Sequence, residues 1–190
     1  MRYLISILLA ALSGCATSQE PAGPPAYVAE AALPEGWPAP GPYNEVSEKN
    51  YPAYRAAFTT GKGQSGAFWR LFSHIKKNDI PMTAPVEMGI DASGATLERS
   101  TMAFLYQNQA VGTAGAVNPN LEVRDVPPAK VLSYTWQGPD SEANLTRAKQ
   151  ALDTAMAATK ATAKAYRLLG YNGPGTPRAK ATWELQAVLE

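Results

Sequence analysis

The apolar periodicity of this chain changes in the same order twice, and this repetition limits the folds that the chain can adopt. Residues 45–60 read as an extended segment, and apolar residues within 68–75 then recur at i, i+3, i+4 and i+7, which predicts a helix. Residues 80–90 and 101–107 read as strands. The first unit is therefore predicted to run strand, helix, strand, strand.

The same order returns in the second half of the chain. Residues 121–137 are extended, and Ser141 is the predicted N-cap of an Ala-rich helix. Residues 162–169 and 182–188 read as the closing strands. Two such units predict an α+β fold, in which a twisted antiparallel sheet or a distorted barrel carries two packed helices.

Residues 1–14 read as a secretory signal segment, because Arg2 is followed by a short apolar run without charge. That run is about half of the roughly 20 apolar residues that span a bilayer, so it is not expected to be a membrane anchor. Its end, Leu12-Ser13-Gly14-Cys15, is similar to the lipobox of bacterial lipoproteins, in which the cysteine thiol receives a lipid. Cys15 is the only cysteine, so lipidation would leave no thiol for a disulfide or a nucleophile. The alternative is an ordinary signal peptide followed by an unrelated cysteine.

The segment after the cysteine predicts how the protein is held at the membrane. Ala16 follows Cys15 where an aspartate would favour the inner membrane, so we expect an outer-membrane lipoprotein that faces the periplasm. Residues 15–42 are rich in proline and alanine and are predicted to be a lipidated tether in an extended conformation. The remaining residues, 43–190, are the length of one domain.

Charge and motifs exclude several classes of protein. The chain has 17 basic and 16 acidic residues, and Arg2 belongs to the signal segment, so the mature chain is formally neutral and a nucleic-acid partner is not expected. A single histidine and the lack of paired cysteines leave no catalytic cluster, so the protein is predicted not to be an enzyme. Residues 61–66 fit G-x-G-x-x-G, but the strand before them alternates, which favours a glycine-rich turn over a dinucleotide site.

Two motifs carry a resemblance to a known family. An aromatic-rich helix at 68–77 leads into Met82-Thr83-Ala84-Pro85-Val86, and a closing segment at 171–177 precedes Trp183-Glu184-Leu185. Together they resemble the SOUL family of haem-binding proteins over residues 43–190. The resemblance implies a duplicated α+β fold, similar to the effector-binding domains of drug-sensing regulators, and binding of haem or a related tetrapyrrole.

The resemblance also implies which residues bind the cofactor, and each of them has an alternative role in which it only packs or faces solvent. His74 is the candidate haem iron ligand, or else a part-buried ring at a position where the family usually has an aromatic residue. Met82 and Met88 are possible weak axial ligands or core residues. The remaining candidates would stack on the macrocycle or pair with its propionates, unless they only pack or face solvent: Trp69, Phe72, Arg70, Lys76 and Lys77.

Three functions follow from these expectations. The first is a lipid-anchored envelope protein that binds a tetrapyrrole for storage, buffering or transfer. The second is an envelope module for a different apolar small ligand. The third, a dechelatase that acts on a tetrapyrrole, is opposed by the single histidine. The sequence does not indicate a protein partner.

Overall fold

The computed structural model describes residues 25–60, 65–94 and 96–190. Within these ranges the chain forms two α-helices, nine strands and a short 3-10 helix. The helices are α1 (Ala67–Lys77) and α2 (Glu142–Thr159). The strands are β1 (Val46–Tyr51), β2 (Tyr54–Thr59), β3 (Val86–Asp91), β4 (Glu98–Leu105), β5 (Gly115–Asn118), β6 (Leu121–Val126), β7 (Ala129–Gln137), β8 (Ala163–Gly170) and β9 (Thr182–Leu189). The predicted signal segment, Cys15 and residues 61–64 of the glycine motif lie outside the described ranges.

The nine strands form one antiparallel sheet in the order β1-β7-β9-β8-β3-β4-β2-β6-β5. The two predicted units are β2–α1–β3–β4 and β7–α2–β8–β9, and each contributes three adjacent strands. The strands that follow the helices, β3 and β8, pair with each other at the centre, from Val86 opposite Gly170 to Ile90 opposite Tyr166. This arrangement confirms the predicted duplication and the α+β class. Because β1 and β5 lie at the two edges, the sheet is open and does not close into a barrel.

Both helices pack on the same face of the sheet. Helix α1 lies on β2 and β4, and α2 lies on β7 and β9. Ser141 caps α2 as predicted, because its hydroxyl accepts a hydrogen bond from the Asn144 amide at 3.3 Å. Met102 on β4 contacts the core under each helix, whereas Ala103 belongs to the cluster on the other face, as strand alternation requires.

Several details differ from the sequence prediction. The predicted strand at 80–90 begins only at Val86, because Pro81 and Pro85 lack the backbone N–H that a ladder needs. The predicted stretch at 45–60 forms two strands that separate at Pro52 and pair with different neighbours, β1 with β7 and β2 with β4 and β6. The exposed strand β5 was not expected from the sequence.

Residues 25–42, the described part of the predicted tether, lie against the domain. They have no helix or strand, yet Pro34, Trp37 and Pro40 are buried. Trp37 packs in a cluster on the face of the sheet that the helices leave free. The assignment of 15–42 as a separate unit remains a prediction, but its described part does not stand away from the sheet. None of the helices in the described ranges is long and apolar enough to cross a bilayer.

Candidate functional site

Helix α1 presents its aromatic residues beside the sheet. Leu71 and Ile75 are buried against β2 and β4, and they fix the rotation of the helix. Phe68 and Phe72 lie one turn apart on the flank of this buried stripe and are only partly covered. Their rings are nearly parallel, with an interplanar angle of 11° and centroids 6.0 Å apart. Together they form an apolar aromatic wall, which we call the Phe68–Phe72 wall.

A cleft with a volume of about 260 Å³ opens in front of this wall. The Met82–Ala84 segment forms its second side, where the Thr83 hydroxyl donates to the Leu105 carbonyl at 2.6 Å. The turn at 170–174 forms the third side. Gly170 is required there, because a Cβ atom would lie 2.7 Å from the Trp183 ring. We call this space the α1 cleft.

The rim of the α1 cleft carries charge of both signs. The ammonium of Lys76 lies 5.9 Å from the centroid of the Phe72 ring, one turn further along α1. Glu30, from the N-terminal segment, borders the cleft on the other side. Its carboxylate is already engaged, because it accepts hydrogen bonds from the Gly173 amide and the Thr176 hydroxyl. Among the described residues, Lys76 is therefore a cation that remains available beside the cleft.

His74 lies on the opposite flank of α1, in a separate polar cavity of about 790 Å³ that Arg70 and Lys77 also line. Its Nε2 atom is 2.7 Å from the hydroxyl oxygen of Tyr106. Its Nδ1 atom is 3.3 Å from the side-chain nitrogen of Asn78. Burial lowers the pKa of His74 below its ordinary value, and burial raises the pKa of Tyr106 to about 12 despite the opposing charge of Arg55. The His74 imidazole and the Tyr106 phenol are thus neutral at pH 7. Each ring nitrogen of His74 lies beside a polar side chain.

The candidate residues from the sequence fall into three places. Phe72 and Met82 line the α1 cleft and Lys76 lies beside it near the Phe72 ring, whereas His74, Arg70 and Lys77 share the polar cavity. Trp69 is 67% exposed and contacts the edges of Phe68 and Phe72 without lining the cleft. Met88 is buried in the core under α2. The structure thus brings together three of the eight candidates, and their ligand-binding roles remain predictions.

The opposite face of the sheet carries a buried polar network that the sequence reasoning missed. Arg167 donates through Nη1 to the Tyr54 hydroxyl at 2.9 Å and to Glu87 at 3.2 Å, and through Nε to Gln186 at 2.6 Å. Tyr54 donates to Glu87 at 2.7 Å. Burial and the neighbouring Glu87 carboxylate raise the pKa of Tyr54 above its ordinary range.

A second carboxylate, Glu184, is fully buried beside this network. It accepts hydrogen bonds from four side chains: Lys49 at 3.0 Å, Tyr51 at 2.8 Å, Tyr171 at 3.2 Å and Gln186 at 2.6 Å. Burial and the nearby Glu184 charge raise the pKa of Tyr51 and of Tyr171. One signal in the sequence could have identified the network: charged residues in β3, β8 and β9 stand where strand alternation faces them away from the helices.

No group of three or more His, Cys, Asp or Glu side chains suited to a metal ion occurs in the part of the chain that the structure describes. The fold and the α1 cleft define a small α+β domain with an apolar, aromatic cleft.

The comparison with protein families gives one match. The family model for "SOUL heme-binding protein" matches residues 41–184. This chain belongs to the SOUL haem-binding family, which confirms the resemblance predicted from its motifs. The comparison with curated proteins finds no match.

Solved structures share the fold at low sequence identity. An uncharacterised conserved protein from Listeria innocua is 12% identical, with a TM-score of 0.61, and the match covers 78% of this chain and 94% of that one. The C-terminal domain of EcmrR is 14% identical, with a TM-score of 0.57 and coverage of 77% and 97%. A hydrolase from Listeria innocua is 14% identical, with a TM-score of 0.56 and coverage of 79% and 94%. At this identity the likeness concerns the fold alone.

Proposed function

We propose that this chain is a lipid-anchored envelope protein that binds haem or a related tetrapyrrole in the α1 cleft, for storage, buffering or transfer. The observation that carries the proposal is the Phe68–Phe72 wall in a domain of the SOUL haem-binding family. A planar macrocycle is stabilised by contact with aromatic rings, because offset-stacked or edge-to-face contacts bury apolar area and match the ring quadrupoles.

The α1 cleft is apolar and can take part of a tetrapyrrole. Small-ligand sites commonly enclose about 300–1,000 Å³. The α1 cleft, at about 260 Å³, lies just below this range, so it would hold one edge of the macrocycle and leave the rest exposed. Lys76 at the rim is placed to pair with a propionate.

The lining of the α1 cleft also determines which side chains are close enough to ligate a haem iron. The cleft lining holds two side chains of types that ligate haem iron, the weak thioether of Met82 and the phenol of Tyr171, but the Tyr171 hydroxyl donates to the buried Glu184 carboxylate. His74 lies on the other flank of α1 and is engaged with Tyr106. Bound haem would supply a redox-active iron, and the protein would contribute an apolar surface and a cation. A partly exposed cofactor without a strong axial ligand suits exchange with a partner more than catalysis.

Absorbance titration with haemin tests the site. The titrated chain is residues 16–190, which omit the predicted lipidation site. Phe72→Ala removes half of the aromatic wall and is expected to weaken haemin binding at least tenfold. Trp69→Ala is the matched control, because it removes a larger but exposed aromatic side chain from the same helix. Equal losses in both variants would contradict the assignment of the α1 cleft.

Membrane anchoring rests on the residues around Cys15 and needs its own experiment. Cys15→Ser is expected to prevent lipid attachment and removal of residues 1–14, which intact-mass spectrometry of the detergent-extracted protein would detect. A lipid-free mature form of the wild-type chain would contradict the anchor.

One observation favours an alternative ligand. No imidazole lines the α1 cleft, so the cleft fits an iron-free apolar ring as well as haem. Protoporphyrin IX discriminates between the two, since it has the same ring and propionates without iron. If the iron-free macrocycle binds more tightly than haemin, the site is one for apolar rings in general.

A further inference from the structure

Trp37 lies in a cage of buried side chains on the face of the sheet that carries no helix. Its ring meets Tyr51 edge-on at 4.6 Å and Tyr54 edge-on at 5.1 Å between centroids. The guanidinium carbon of Arg167 lies 5.6 Å from the Trp37 ring and within 6 Å of both tyrosine rings. We call Tyr51, Tyr54 and Arg167 the aromatic cage.

Trp37 enters this cage from a segment with no regular structure. A turn directs the Trp37 ring inward. In this turn the Trp37 amide donates to the Pro34 carbonyl at 3.0 Å, and Gly36 adopts a φ angle of 70°. Two backbone hydrogen bonds tie this part of the segment to the domain, from Glu35 to Gln107 at 2.8 Å and from Ala84 to Ala32 at 2.9 Å. The rest of residues 25–42 is held by further contacts, among them Glu30 with Gly173 and Thr176 and the Gly41 amide with the Thr135 hydroxyl. Trp37 is therefore a buried ring supplied by a segment that has no strand ladder to hold it in the sheet.

Two buried donors in this region have no hydrogen-bond partner among the described residues. They are Nη2 of Arg167 and Nε1 of Trp37. Buried donors are normally paired, because an unpaired one loses its hydration without compensation. Trp37 thus fills the space between the tyrosine rings but offers no acceptor to the guanidinium. A flat molecule with an acceptor oxygen would satisfy both requirements of the cage.

The charges around the cage indicate a neutral molecule. Arg167 is balanced by Glu87 at 3.2 Å, and Lys49 is balanced by Glu184 at 3.0 Å. All four side chains are nearly buried, so an added charge would have no counter-ion and would pay a large desolvation cost.

We propose that the aromatic cage is a second ligand site, specific for a neutral planar aromatic molecule of one or two rings with a carbonyl oxygen. Residues 25–42 are its plug, and Trp37 leaves the cage when that ligand enters. The site is distinct from the α1 cleft, so it does not depend on tetrapyrrole binding. The plug lowers the apparent affinity for the ligand, because binding requires the fraction of molecules in which Trp37 is out.

The first experiment is a fluorescence titration of residues 16–190 with 7-amino-4-methylcoumarin, a neutral bicyclic probe with a carbonyl oxygen. Trp37→Ala is expected to bind one probe per chain, saturably and at least tenfold more tightly than the wild type. Val28→Ala, a change at an exposed residue of the same segment, is expected to match the wild type. Adding Arg167→Lys to Trp37→Ala is expected to weaken binding at least fivefold. A folded Trp37→Ala protein that binds no better than the wild type would overturn the proposal.

Hydrogen exchange of the wild-type chain tests the plug without any substitution. The amides of Glu35 and Trp37 are expected to exchange at least 100-fold faster than paired amides of β7 and β9, through local opening of residues 25–42. Saturating coumarin is expected to speed their exchange further, since it holds the plug open. If these amides exchange together with the central strands, residues 25–42 are part of the core and the proposal is wrong.

Discussion

The Nε2 atom of His74 lies 2.7 Å from the hydroxyl oxygen of Tyr106. Both residues line the polar cavity, which is on the flank of α1 that faces away from the Phe68–Phe72 wall. Iron ligation through Nε2 would require this contact to break. The sequence nominates His74 because it is the only imidazole in the chain. The geometry supports the other interpretation, in which the ring bonds Tyr106 and stabilises the end of α1.

His74→Ala is therefore expected to leave the haemin affinity within about twofold of the wild type. The variant loses the hydrogen bond to Tyr106 and the longer contact with Asn78, and one such hydrogen bond typically contributes about 0.5–1.5 kcal/mol to the free energy of unfolding. Urea unfolding and a haemin titration measure the two effects separately. Tyr106→Phe is the matched control, because it breaks the same contact and leaves the imidazole in place. If the Soret band shift is lost in His74→Ala but retained in Tyr106→Phe, His74 is the iron ligand.

The stability of the domain is expected to depend on pH through His74. Burial lowers the pKa of this ring in the folded state below its ordinary value of 6.5. The unfolded chain then binds the proton more readily, so the free energy of unfolding is highest above pH 6.5 and falls as the pH drops below it. His74→Gln keeps a polar group near Tyr106 but cannot titrate. Denaturation between about pH 5.5 and 6.5, above the range of unperturbed carboxyl groups, should show a slope in the wild type that is smaller in the variant. An equal slope in both proteins would mean that His74 is not its source.

Lys76 and Lys77 are adjacent in sequence but belong to different sites. Lys76 lies over the Phe72 ring at the rim of the α1 cleft, and Lys77 lines the polar cavity with His74. Lys76→Glu is expected to weaken haemin binding about three- to tenfold, because it places a negative charge beside a propionate. Lys77→Glu makes the same charge change and is expected to have a much smaller effect. The two affinities measured at low and high salt check this assignment, which fails if Lys77→Glu is the more damaging change.

Arg167 is expected to be a large contributor to stability. Its side chain is 6% exposed and neutralises Glu87 within the sheet. Arg167→Met leaves that carboxylate buried without a cation, which typically costs about 3–5 kcal/mol. Adding Glu87→Gln removes the unpaired charge and is expected to recover part of the loss. The control is Arg99→Met at the partly exposed pair with Asp140, which is expected to cost less than about 1 kcal/mol. Urea midpoints give all of these values, and a loss below 1 kcal/mol in Arg167→Met would contradict the role of the pair.

Much of the fold can be predicted from the sequence, because the apolar periodicity identifies the two strand–helix–strand–strand units. The stripe that contains Leu71 and Ile75 predicts α1 and its buried side, and Ser141 predicts the start of α2. Strand β3 is shorter than predicted, because the alternation at 80–90 is real but Pro81 and Pro85 cannot complete the ladder. The local apolar pattern predicts that a strand or helix is present, while the available backbone hydrogen bonds determine the residue at which it begins.

The sites were less predictable, because they depend on contacts between distant residues. Phe72 and Met82 were identified from the family motif, but the role of Gly170 appears only when β8 is placed beside Trp183. The proline-rich composition of 25–42 predicts an extended tether and gives no sign that Trp37 is buried. Arg167 stands in a strand that also carries Lys164, and its partner Glu87 is 80 residues away in the chain.

The most direct test of the central claim is to locate bound haemin by paramagnetic broadening in ¹H–¹⁵N spectra of residues 16–190. Iron(III) broadens nearby amide signals most strongly, so the affected residues mark the position of the macrocycle. Binding in the α1 cleft predicts that the amides of Phe72, Met82 and Gly173 broaden first, while those around Thr113 and Asn118 persist. Broadening centred on Thr113 and Asn118, or no saturable broadening at all, would contradict the account.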